Sequence, residues 1–195
     1  MADKIATDFL SKVKAKGKQA MSWFRDIVKQ TQKAAFPAST GRSELTGDRG
    51  LGATGRPTIG RMYLFQYDAK WKDILPYWDV WPLIFPFDLA KNGFYGINLH
   101  YLPPNARIDL MLRLIKAQGG SGNLTEKYKL KLSYNIITSY PPARPCIKRY
   151  LFSHVQGRGF YGIKGEDWSY AASLPLHKFK GASETTVWGD SKAMY

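Results

Sequence analysis

Val80-Trp81-Pro82-Leu83-Ile84-Phe85-Pro86-Phe87, then Asn92-Gly93, then the run from Phe94 to Leu102, is the stretch that decides the fold. Two apolar runs separated by an Asn-Gly pair read as a β-hairpin. Pro82 and Pro86 cannot donate to a ladder, so the first arm is expected at a sheet edge or as irregular extended chain. Upstream, Tyr63, Phe65 and Tyr67 alternate through Met62 to Tyr67 as a strand does, and a turn follows through Lys70 to Asp73. Downstream, Pro103-Pro104 opens a helix over Asn105 to Gln118 with Ile108, Met111, Leu112 and Ile115 on one face, and Gly119-Gly120 closes it. Glu126 to Ile136 alternates most cleanly: Tyr128, Leu130, Leu132 and Tyr134 point one way, Lys127, Lys129, Lys131 and Ser133 the other. After Pro141-Pro142, the pattern predicts a short helix over Cys146 to Val155, a strand over Phe160 to Ile163 and a last helix over Ser183 to Met194. These elements add up to one α+β domain, residues 62–195, in which helices pack on a small antiparallel sheet.

Two segments precede that domain. Residues 1–35 hold an amphipathic basic helix, about Asp3 to Lys33, with Ile5, Phe9, Val13, Ala20, Phe24, Ile27 and Val28 in one stripe. Gly17 weakens it by about 1 kcal/mol relative to Ala. The stripe needs a cover, whether its own domain, a neighbouring subunit or a membrane; Phe9, Val13, Phe24 and Ile27 are the docking candidates. Residues 36–61 form a flexible Gly/Arg arm in which apolar periodicity disappears, and Arg42, Arg49, Arg56 and Arg61 recur every six or seven residues. A phosphate-following arm has that spacing, and so does a solvated linker.

Among 195 residues, 29 Lys and Arg face 15 Asp and Glu, a net charge of +14, half of it on residues 1–61. Such a charge attracts polyanions: nucleic acid, an anionic surface or an acidic partner. One cysteine, Cys146, rules out an internal disulfide. Without a signal-length apolar run near Met1, or a span long enough for a bilayer, a cytoplasm-like site of synthesis is expected.

Catalytic patterns are scarce. His100, His154 and His177 stand far apart in sequence, and no phosphate loop, dinucleotide fingerprint or nucleophile elbow occurs. Cys146 near Lys148, Arg149 and His154 has the makings of an activated thiol, but a lone cysteine on an apolar face is more often core. Asp68, Asp73, Asp79 and Asp88 leave a metal-dependent nuclease as a remote alternative; each also borders a turn, where aspartates go for backbone reasons. Neither a cofactor nor a small-molecule substrate is expected. Trp71, Tyr77, Trp78 and Trp81 crowd within eleven residues. Some should fill the core, and at least one should be exposed as a stacking or docking surface. Gly-Phe-Tyr-Gly-Ile occurs at 93–97 and again at 159–163, read here as two strand starts.

Several motifs together resemble a known family. They are Met62 to Asp68, Leu75-Pro76-Tyr77-Trp78-Asp79, Pro82-Leu83-Ile84, Gly93 to Pro103, and Pro145-Cys146-Ile147-Lys148-Arg149-Tyr150-Leu151. They are similar to small virion structural proteins of T4-like contractile-tailed bacteriophages, over most of residues 62–195 and outside the N-terminal helix and arm. The nearest type is the DNA end-protector, which caps the packaged genome end at the head–neck and shields it from nucleases. A neck, tail or baseplate assembly component that binds acidic virion subunits and not DNA is the alternative. The resemblance implies a virion protein assembled in the host cytoplasm, with other virion subunits and double-stranded DNA as partners and no membrane. The residues expected to meet a polyanion are Lys127, Lys129, Lys131, Lys148, Arg149 and Arg158, joined by Arg42, Arg49 and Arg56.

Overall fold

A computed structural model describes residues 55–116 and 137–195. Among the described residues seven strands and three helices follow one another. They are β1 (Met62–Tyr67), β2 (Trp78–Asp79), β3 (Leu83–Ala90), β4 (Gly93–Asn98), α1 (Pro104–Lys116), β5 (Ile147–Leu151), β6 (Val155–Ile163), α2 (Trp168–Ser173), β7 (Phe179–Lys180) and α3 (Glu184–Ala193). This is an α+β fold. The expected helix over Asp3 to Lys33, most of the arm, the Gly119-Gly120 helix end and the Glu126 to Ile136 strand lie outside the described residues.

The main sheet is antiparallel with order β5-β4-β3-β1-β6, and β2 pairs separately with β7. β5 and β6 are the two edges, yet only the 3-10 turn Phe152–His154 joins them. Flat, edges four spacings apart would stand about 19 Å from each other. The chain from Leu151 to Val155 reaches at most about 14 Å fully extended. The sheet therefore has to curl. Rings confirm it: Phe65 on β1 meets Tyr150 on β5 at 5.3 Å between centroids, and Phe94 on β4 meets Phe160 on β6 at 5.4 Å. The inner face is thus an aromatic core of Tyr63, Phe65, Tyr67, Phe94, Tyr150 and Phe160 with Ile84. The opposite face carries Met62, Leu64, Leu83, Phe85 and Ile97 under α1 and α2, whose Leu110, Met111, Leu114, Trp168, Ala171 and Ala172 cover it. β1 is consequently buried on both sides.

Three local expectations are corrected. β3 is the central strand, not an edge. Its pairing with β1 covers Leu83 and Ile84 only, a bulge follows Pro86 on the β4 side, and the Pro86 carbonyl accepts from the Gly60 N–H at 2.8 Å. Pro86 therefore sits where no N–H is demanded of it. The helix expected over Cys146 to Val155 is instead β5 and the 3-10 turn, because Ile147 to Leu151 pairs with Ile97 back to Gly93. Local propensity yields there to tertiary pairing. Of the repeated pentapeptides, only the first starts a strand. Gly159 lies within β6 with φ 96°, beside Gly157 at φ 67°, where the register against β1 shifts. The repeat has a packing consequence all the same, since its two phenylalanines are the Phe94–Phe160 pair.

The hairpin and the last helix stand as expected. Lys91 and Asn92 form the turn between β3 and β4. Gly93 is required by close approach: a Cβ there would lie 1.9 Å from the Tyr150 carbonyl oxygen. The Ser183 hydroxyl caps α3 by accepting from the Thr186 N–H.

Candidate nucleic-acid interface

The surface of interest is held in place by a buried polar hub. Asp79 on β2 is fully enclosed, and one carboxylate oxygen accepts from the Trp81 N–H at 3.0 Å. Its other oxygen accepts from Asn98 Nδ2 at 3.0 Å and from His100 Nδ1 at 2.7 Å. Asn98 Nδ2 also donates to the Tyr150 hydroxyl, tying the hub to the aromatic core. Arg107 on α1 is fully buried and donates to the carbonyls of Leu102 and Leu174 and to His177 Nδ1 at 2.8 Å. Trp188 Nε1 donates to the His100 carbonyl, so α3 is pinned to the same hub. Burial pushes the Asp79 carboxyl up, but the His100 ring, the Asn98 amide and the Trp81 N–H together hold it below the usual carboxylate range. Burial lowers the pKa of His100 against the pull of Asp79, and burial with the Arg107 charge brings His177 down to about 4. The His100 Nε2 is enclosed without a hydrogen-bond partner. An Asp–His pair with no opening to solvent reaches no substrate; its role is to fix β2, β7, α1 and α3 together.

From this hub the chain between β1 and β2 is presented outward. The loop is clamped where it leaves β1: the Asp68 N–H donates to the His154 carbonyl at 3.0 Å, and His154 Nδ1 lies 2.9 Å from the Asp68 carbonyl. Ala69 is buried. At the other end Gly181 presses on Pro76, where a Cβ would fall 2.3 Å from its carbonyl oxygen. Between the clamps, Trp71, Ile74 and Leu75 are 57%, 76% and 41% exposed. The Trp71 carbonyl accepts from both the Ile74 and Leu75 N–H groups, which winds the segment into one tight turn. The expectation of a divided aromatic cluster holds: Trp81 is core, Tyr77 and Trp78 are half-buried, and Trp71 is exposed.

Cations stand over outward rings. Lys70 Nζ lies 4.7 Å from the Trp71 ring centroid, Lys180 Nζ 5.9 Å from Trp78, the Arg56 guanidinium 5.5 Å from Phe152 and that of Arg149 5.9 Å from Tyr95. Of the residues expected to meet a polyanion, Arg149 and Arg56 are exposed. Lys148 differs from expectation. Its ammonium stands 3.9 Å from the centroid of the buried Tyr101 ring, and burial lowers its pKa. On β5 neighbouring residues face opposite ways, so Lys148 and Arg149 cannot share one surface. Arg158 is carried by β6. Lys127, Lys129, Lys131, Arg42 and Arg49, and the docking candidates Phe9, Val13, Phe24 and Ile27, lie outside the described residues.

The catalytic candidates do not assemble. Cys146 is buried, its thiol is pushed up to about 12 by burial, and its Sγ lies 3.6 Å from the Pro142 carbonyl oxygen. Asp68 pairs with Lys72 at 3.0 Å on the surface, Asp79 is enclosed in the hub, and Asp88 is exposed on β3. Among the described residues no three His, Cys, Asp or Glu side chains group as metal ligands, and no helix is long and apolar enough to cross a membrane.

The family model of the phage T4 terminal DNA protecting protein matches residues 2–191. The chain belongs to that family. Comparison with curated proteins and with solved structures found no match. Membership in the terminal DNA protecting family extends further than the motifs indicated: the match includes residues 2–61, which the motif resemblance left out. What sequence reasoning missed is the hub, since the dispersal of Asp79, His100, Arg107 and His177 along the chain hides it. The Trp71 turn did leave a signal in the density of tryptophans.

Proposed function

We propose that this protein is a structural, non-catalytic component of a tailed-phage particle that covers the end of the packaged duplex near the head–neck. Membership of the terminal DNA protecting family over residues 2–191 carries the reading. The charge of +14 supports it, because every phosphate neutralised releases counterions. In this reading Arg149, Arg56 and Arg158 meet the phosphates, joined by Arg42 and Arg49 of the arm and the Lys127, Lys129 and Lys131 row. Lys148, turned over the Tyr101 ring, is left out of that set. The stripe of Phe9, Val13, Phe24 and Ile27 docks on another virion subunit.

The experiment is digestion of linear duplex DNA by a processive exonuclease, with and without the full-length protein, across a salt series. Protection of the ends is expected, with affinity falling steeply as salt rises, each contacted phosphate adding about 0.9 to the slope of log K against log salt. Unprotected ends at every salt concentration, with no duplex binding, would overturn the reading in favour of an assembly protein that meets acidic tail or baseplate subunits.

A further inference from the structure

We propose that Trp71 stacks on the terminal base pair of the duplex, with Ile74 and Leu75 extending the apolar cover; the inference rests on the end-protecting role proposed above. A clamped loop that leaves three large apolar side chains in water is unusual, because each loses the stabilisation that burial would give. The clamps at Asp68–His154 and Pro76–Gly181 show that the turn is held, so its apolar tip faces outward by construction. Its neighbours suit one kind of partner. Lys72 is neutralised by Asp68 at 3.0 Å, and Lys70 and Asp73 offset one another, so the turn itself carries no net charge. A phosphate-following strip would be strongly basic. A flat, near-neutral apolar face suits the bare π-surface that a duplex exposes only at its end. Lys70 Nζ stands over one face of the Trp71 ring, 4.7 Å from its centroid, so the base pair would take the opposite face, and Lys180 over Trp78 lies toward the backbone phosphates around that pair. A second copy of the chain is a poor occupant, since two molecules of +14 repel. An acidic protein partner would call for charge on the turn, which the turn lacks.

Stacking and phosphate contact separate experimentally, because stacking releases no counterions. The test uses full-length protein, a duplex with one blunt end, and a dumbbell of the same sequence with both ends closed by loops. Trp71→Ala and Trp71→Phe are compared with the natural protein and with Leu89→Ala, which removes an exposed apolar side chain elsewhere. We expect the natural protein to prefer the open end. Trp71→Ala should weaken open-end binding by about 5- to 150-fold, the range of base–aromatic stacking, leaving dumbbell affinity and the salt slope unchanged. Trp71→Phe should keep part of the preference and Leu89→Ala all of it. A 2-aminopurine in the terminal pair should be quenched by the natural protein and not by Trp71→Ala. An open-end preference unchanged in Trp71→Ala overturns the inference and leaves the proposed function intact. No preference by the natural protein overturns both. Unchanged DNA binding with failed incorporation into particles assigns the turn to a protein partner, which also overturns it.

Discussion

Replacing Asp79 by Ala should remove about 3–9 kcal/mol of folding stability, since buried donors left without acceptors cost roughly 1–3 kcal/mol each. Three buried groups lose their acceptor: the Trp81 N–H, the His100 ring N–H, and one of the Asn98 amide hydrogens, whose companion keeps the Tyr150 hydroxyl. The Lys178 N–H loses a longer, part-buried bond of 3.4 Å as well. Arg107 also loses the nearest buried negative charge that favours its cationic form. A domain of this kind has about 5–15 kcal/mol in all, so the variant should be near the edge of folding. Asp79→Asn separates geometry from charge. It keeps an acceptor for Trp81 but turns an NH2 toward the His100 Nδ1 and the Asn98 Nδ2. If His100 answers by moving its proton to Nε2, that proton enters a position with no partner. Asp79→Asn should therefore cost about 2–6 kcal/mol on the same per-group figures, less than the alanine variant. Urea unfolding followed by tryptophan fluorescence measures both, with an unchanged m value as the condition for comparing midpoints. A loss below about 1 kcal/mol for Asp79→Ala would show that water replaces the carboxylate, and the hub would then not be what fixes β2 and the Trp71 turn.

The same hub makes the fold acid-sensitive. His177 is brought down to about 4 in the folded protein by burial and Arg107, against an ordinary value of about 6.5 when unfolded, and His100 is lowered in the same direction. The unfolded chain takes up protons first, so melting temperature should fall as pH drops from about 6.5 toward 4. Asp79, held below its ordinary range, adds a further loss at lower pH. A flat melting temperature between pH 7 and 4.5 would contradict this. Two glycines should behave oppositely. Gly93→Ala forces a Cβ to 1.9 Å from the Tyr150 carbonyl oxygen and should destabilise by about 3 kcal/mol or more. Gly189→Ala meets nothing within 4 Å inside α3 and should stabilise by about 0.5–1 kcal/mol. Thermal melts of the two variants settle both signs.

What the sequence disclosed and what it hid divide by range. Met62 to Tyr67 and the Asn92-Gly93 hairpin signal are local, with alternation and turn chemistry each contained within a few residues, and the last helix near Ser183 to Met194 is local too. The misread segments are those whose outcome depends on a distant partner. Cys146 to Val155 carries apolar residues at spacings compatible with a helix, and only the free edge of β4 at Gly93 to Ile97 draws it into a strand. Pro86 argues for an edge by a rule that assumes a full ladder on both sides. The rule does not apply where the neighbouring ladder has already ended at Ile84. Lys148 and Arg149 look equivalent in a basic run, and the two-residue period of β5 then sends one over the Tyr101 ring and the other into solvent.

The same division explains why the candidate interface was only half legible. Net charge is additive along a chain, so the attraction to a polyanion needs no fold to be seen. Specificity for an end is different, since a duplex carries phosphates along its whole length and charge alone cannot tell its end from its middle. Only a group that recognises the uncovered base pair supplies that difference, and it has to be apolar, flat and held away from the protein's own core. In the proposal above Trp71 is that group, because the turn that carries it is fastened to His154 on one side and to Gly181 on the other, residues 83 and 110 positions downstream. Dense tryptophans show in the sequence; which of them stays outside is settled by those two distant contacts.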